Sequence, residues 1–67
     1  MEEQATKTDM ICDGLQEMVE SLRSDLAKFE DGNNSAGARA RKICQEIKTK
    51  CQDIRVDVQN TKKERAA

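Results

Sequence analysis

Asp31-Gly32-Asn33-Asn34-Ser35 is the one strong break in an otherwise helical pattern. Gly32 can adopt the left-handed conformation that closes a helix. Asn33, Asn34 and Ser35 are all good N-caps for the next helix. On both sides of this break apolar residues recur with helical spacing. The first set is Ile11, Leu15, Met18, Leu22, Leu26 and Phe29, in steps of 4, 3, 4, 4 and 3. The second is Ala40, Ile43, Ile47, Cys51, Ile54 and Val58, in steps of 3, 4, 4, 3 and 4. Neither set alternates as a strand would. Both repeat at eleven residues (Ile11 to Leu22, Leu15 to Leu26, Ile43 to Ile54, Ile47 to Val58). That period predicts helices that run nearly straight or coil slightly to the right.

The pattern predicts an all-α fold in a single domain, residues 1–67. Helix one spans about residues 8–31, the turn 31–35, and helix two about 34–62. Thr6, with Asp9 three residues on, nearly matches a capping box. Gly14 interrupts helix one at a cost of about 1 kcal/mol relative to Ala. So short a connection makes the helices an antiparallel hairpin. Folding about residues 32–33 pairs Leu26 with Ala40, Leu22 with Ile43 and Leu15 with Cys51. The small residues Ala36, Gly37 and Ala40 lie near the tip, where Phe29 needs room. Met10, Cys12, Val19 and Cys44 widen the apolar seam beyond what one partner helix covers. That width predicts a homodimer, two hairpins packed as a coiled-coil-like four-helix bundle, ahead of a hetero-oligomeric partner or a free monomer.

A chain of 67 residues buries little core without a disulfide, a metal or oligomerisation. Composition narrows the function classes. Charged residues make up 37% and apolar ones 36%, with no proline, which suits exposed helices. There is no His, so the commonest general base and metal ligand is missing. Phe29 is the only aromatic residue, too little for a base-stacking surface. No phosphate-cradling Gly-rich loop and no nucleophile–base pair appear. The expectation is a protein that is not an enzyme, with no cofactor and no small-molecule substrate. The acidic start MEEQATKTD has no secretory-signal pattern, and no apolar run approaches a membrane span, so a cytoplasmic location is expected.

Cys12, Cys44 and Cys51 have no CxxC spacing. Without His they make a poor zinc site, so no metal is expected. Cys44 and Cys51 lie roughly 10 Å apart along a helix, too far for a disulfide. Buried, reduced, neutral thiols on or beside the seam are the expectation.

The charge is unevenly distributed. Residues 1–31 hold nine acids and three bases, a net −6, and residues 32–67 hold nine bases and four acids, a net +5. Two readings follow. The halves attract each other across the hairpin, or the basic half presents a face to a polyanion. Arg39-Ala-Arg41-Lys42 sharpens the choice, because it opens helix two, where free N–H groups favour anions. Its plainer role is to balance Asp25, Glu30 and Asp31.

The run Leu22-Arg-Ser-Asp-Leu-Ala-Lys-Phe-Glu-Asp-Gly-Asn-Asn-Ser-Ala-Gly-Ala-Arg-Ala-Arg-Lys42 resembles the chlamydial-type, linker-histone-like proteins of bacteria. Gly32, Asn33, Ala36, Gly37, Arg39, Arg41 and Lys42 match that family's turn motif. Gln52-Asp-Ile-Arg-Val-Asp-Val58 is similar to a later stretch of it, so the likeness covers about residues 18–63. The resemblance implies association with the nucleoid and condensation of DNA. Thr61-Lys-Lys-Glu-Arg-Ala-Ala67 stands in place of the long Lys/Ala-rich tail of the chlamydial members. Asp31 and Asn34 stand where lysines are common.

Two functions are therefore expected. The first is a histone-like protein that binds DNA without sequence preference through helix two, with Arg39, Arg41, Lys42, Lys48, Lys50 and Arg55 as contacts. Phosphate neutralisation drives such binding, so a chain of net charge −1 binds weakly as a monomer. The alternative is a structural hairpin module for interaction or oligomerisation that does not bind DNA.

Overall fold

The computed structural model describes residues 6–66 as two antiparallel helices, α1 (Lys7–Glu30) and α2 (Asn34–Ala66). Thr6 starts α1. Its hydroxyl accepts from the Asp9 backbone N–H at 3.0 Å, and the Asp9 carboxylate accepts from the Thr6 N–H at 3.4 Å. Two otherwise orphaned donors are thus satisfied reciprocally. α2 runs on through Lys63 and Arg65, beyond the reach of the apolar repeat, because nothing there breaks a helix and both bases suit its C-terminal dipole.

The turn is built from backbone bonds that Gly32 makes possible. Its φ of +101° lets the Asn33 N–H donate to the Lys28 carbonyl at 3.0 Å, while its own N–H donates to Phe29 at 2.9 Å. This pair of bonds is the Schellman arrangement. The Asn33 side-chain oxygen then accepts from the Ala36 N–H at 3.1 Å and caps α2. Beside the turn the Phe29 ring lies against Gly37. A Cβ at that glycine would sit 2.5 Å from the ring's Cδ1, so the two helices approach there only because residue 37 has no side chain.

These environments separate two glycines. At Gly14 an added Cβ meets nothing within 4 Å, whereas Gly32 has the left-handed φ. Gly14→Ala should therefore stabilise the hairpin by about 1 kcal/mol. Gly32→Ala should destabilise it by roughly 1–2 kcal/mol. Thermal melts followed by circular dichroism would check both, and equal shifts of the same sign would contradict this reading.

The core is small. Among the described residues Ala36 (0% exposed) and Ala40 (4%) are the buried apolar ones, and Asp25 (8%) is also buried. Away from the tip Ile11, Leu15, Met18 and Leu22 on α1, and Ile43, Ile47 and Ile54 on α2, are half-buried.

Burial follows a seven-residue repeat rather than the expected eleven. On α1 the seam passes through Ile11, Leu15, Met18, Leu22 and Asp25, in steps of 4, 3, 4 and 3. Leu26, expected there, is 45% exposed. On α2 it passes through Ala36, Ala40, Ile43, Ile47, Ile54 and Thr61, and leaves Cys51 and Val58 exposed. The two rows stay in register by alternating steps of three and four, the spacing that keeps one stripe facing a partner helix. Hydrophobicity alone placed Leu26 and Cys51 in the seam. The geometry instead buries Asp25, and Arg39 compensates its charge.

Candidate nucleic-acid interface

The six bases expected to contact DNA do not share one surface. Arg39 turns toward α1. Its Nε donates to Asp25 Oδ1 at 3.2 Å, with the carboxylate side chain 12% exposed and the guanidinium side chain 51% exposed. The balancing role considered for Arg39 is therefore observed. A second ion pair closes the far end of the hairpin, Lys7 Nζ to Asp57 Oδ2 at 2.9 Å.

Lys42 and Lys50 lie among acids. Together with Glu46 and Asp53 they line one shallow depression beside Met18. Lys50 also borders the groove that contains Lys7, Asp53 and Asp57. Residues three or four apart are neighbours on a helix. Lys42 therefore neighbours Glu46, and Lys50 neighbours both Glu46 and Asp53. The potential these two lysines present to a polyanion is reduced by those carboxylates.

Arg41, Lys48 and Arg55 have a different setting. They are exposed and stand seven residues apart, and Lys62 continues the row at the same spacing. Lys62 is not among the bases expected from the Arg39–Lys42 cluster, although the seven-residue interval is visible in the sequence. No residue three or four positions from any of these four bases is acidic. Their neighbours include Gln45, Gln52 and Gln59, a parallel row of amides. The acids of α2 are Glu46, Asp53, Asp57 and Glu64. All four stand two residues from a base of the row (46 and 48, 53 and 55, 57 and 55, 64 and 62), which on a helix means nearly opposite sides.

Between the basic row and the seam lies an apolar strip. Cys44, Cys51 and Val58 are spaced by seven on α2, and Cys12, Val19 and Leu26 by seven on α1, all six exposed. Leu26 and Phe29 share a depression with Gly37, Ala40, Arg41 and Cys44, so the two strips form one face. All three cysteines are free and exposed, which corrects the expectation of buried thiols. The seven-residue repeat explains this: it puts Cys44 and Cys51 one position outside the seam.

The protein is a small helical hairpin whose second helix carries an exposed row of four bases with its acids nearly opposite them. The particular family follows from comparison with known proteins. The family described as Histone H1-like protein Hc1 matches residues 12–64, and the chain belongs to it. The likeness seen in the turn motif thus extends through most of both helices. No curated protein and no solved structure matches the chain significantly.

Proposed function

We propose that this protein binds duplex DNA without sequence preference and acts on the nucleoid, with no catalytic activity. The observation that carries this reading is membership of the histone H1-like family over residues 12–64. The surface supports it, since nine bases and four acids fall in residues 32–67. The contacts come from the bases of α2, among Arg39, Arg41, Lys42, Lys48, Lys50 and Arg55. Long, flexible bases on an exposed helix neutralise phosphates and release counterions, and such contacts carry no sequence information. Among the described residues no helix is long and apolar enough to cross a membrane. A cytoplasmic, nucleoid-associated location fits this reading.

The binding unit is a homodimer. Two buried alanines make too small a core for a lone hairpin, and small domains of this size usually need a further staple. The partner always present is a second copy. Its own Cys12–Val19–Leu26 and Cys44–Cys51–Val58 rows offer a self-complementary apolar face, as a two-fold interface requires. Covering that face completes the four-helix bundle and doubles the basic surface. Affinity stays low and salt-sensitive, because the net charge of each chain is −1.

The second reading, a structural hairpin that does not bind DNA, draws on the Arg39–Asp25 pair, which commits one of the bases to the hairpin itself. Gel-shift titrations of the wild type with two unrelated duplexes at low salt separate the readings. DNA binding requires equal shifts of both duplexes, and the structural module gives none.

A further inference from the structure

We infer that the DNA contact is a single ridge on α2, formed by Arg41, Lys48, Arg55 and Lys62, and that Arg39, Lys42 and Lys50 lie outside it. This deepens the DNA-binding reading and rests on it.

Three observations converge. The first is spacing. At seven residues the four bases advance about 10.5 Å per step and drift only about 20° around the helix, so they stay in one line over about 32 Å. The second is the lack of acids beside them on their own helix. All four are exposed, and none has an acid three or four residues away. Their neighbours Gln45, Gln52 and Gln59 add a row of amide donors beside the charges. The third is what the other bases do. Arg39 is held by the buried Asp25, and Lys42 and Lys50 share a depression with Glu46 and Asp53.

The physical consequence is a field of one sign along one line of the molecule. A protein of net charge −1 is attracted to a polyanion only if its charges are segregated, since an even mixture would cancel at the distance of a phosphate. α2 achieves this by keeping its four acids nearly opposite the ridge. The ridge also flanks the apolar strip of Cys44, Cys51 and Val58. A second copy seated on that strip leaves the ridge at the rim of the interface. The fitting partner is a straight, densely charged polyanion, and duplex DNA presents phosphates continuously over the length of the ridge.

A charge-matched comparison tests this on the full chain. Lys48→Gln with Arg55→Gln removes two ridge charges, and Lys42→Gln with Lys50→Gln removes two from outside the ridge. Gln keeps helix propensity, and circular dichroism confirms the fold of each variant. With a 30-base-pair duplex, the ridge double should lower the slope of log affinity against log salt by about 1.8, at about 0.9 per phosphate contact. Affinity at low salt should fall on the order of tenfold or more. The Lys42/Lys50 double should leave the slope within about 0.5 of the wild type, since its charges make no phosphate contact. Gln52→Glu, which removes no base but puts a carboxylate between Lys48 and Arg55, should weaken binding in the same direction.

Equal losses from the two doubles, or a larger loss from Lys42/Lys50, would overturn the ridge while leaving DNA binding standing. Tight binding unaffected by Gln52→Glu and by the ridge double would do the same. A wild type that shifts no duplex at low salt removes the DNA-binding reading itself, and the ridge with it.

Discussion

Replacing Arg39 by Gln should destabilise the hairpin by about 1–3 kcal/mol, an unusually large effect for a residue half exposed to solvent. The cause lies with its partner. Asp25 occupies a seam position with its side chain 12% exposed, and the Arg39 Nε is its hydrogen-bond partner at 3.2 Å. Without the guanidinium a carboxylate is left in the seam with its charge uncompensated. For a domain of this size that cost corresponds to a melting-temperature drop of about 4–8 °C per kcal/mol. In an Asp25→Asn background the same Arg39→Gln change should cost under about 0.5 kcal/mol, because no charge remains to be stranded. The double-mutant cycle should be run at one protein concentration, since association contributes to apparent stability. An Arg39→Gln effect that is small in both backgrounds would show that the pair is an ordinary surface contact.

The second large effect concerns the three thiols. Cys12, Cys44 and Cys51 are exposed on the same apolar face as Val19, Leu26 and Val58. In a dilute monomer all three should react with a thiol-specific reagent at rates close to those of the unfolded chain. At concentrations where sedimentation shows a dimer, the rates should fall by an order of magnitude or more, in line with the access of thiols to reagent. Leu26→Lys, which puts a charge on the face without touching the seam, should keep the protein monomeric and the thiols reactive. Single Cys→Ala changes should alter monomer stability by no more than about 0.5 kcal/mol, as expected of surface positions. Full thiol reactivity in a well-formed dimer would place the interface elsewhere.

The turn and the two helices were legible because each rests on local chemistry. Gly32 supplies the left-handed φ, Asn33 caps α2, and the apolar spacing excludes strands. The register was harder to read. Leu26, Cys51 and Val58 are apolar, and counting them as core produced a false eleven-residue period. The true seven-residue period is hidden because charged side chains hold positions that belong to it: Asp25 in the seam, and Lys50 and Asp57 along its edge on α2. Hydrophobicity cannot reveal that a carboxylate is buried when its compensating guanidinium lies 14 residues away, across the turn.

The surroundings of the bases on α2 were only partly legible for a related reason. Arg39, Arg41 and Lys42 are three bases within four residues, a cluster conspicuous in the sequence. Neighbours in sequence point in different directions around a helix, so that cluster is split among three surroundings. The proposed ridge rests instead on the seven-residue interval from Arg41 to Lys62, which gains meaning only once burial has fixed which side of α2 faces α1.

The most direct test of the central claim is the affinity of the wild-type protein for two duplexes of unrelated sequence, measured as a function of salt. Binding through four phosphate contacts per hairpin predicts equal affinities for both. It also predicts a linear fall of log affinity with log salt, of slope about −3.6 for each bound hairpin. Absence of binding to either duplex at low salt, or a preference for one sequence with little salt dependence, would contradict it.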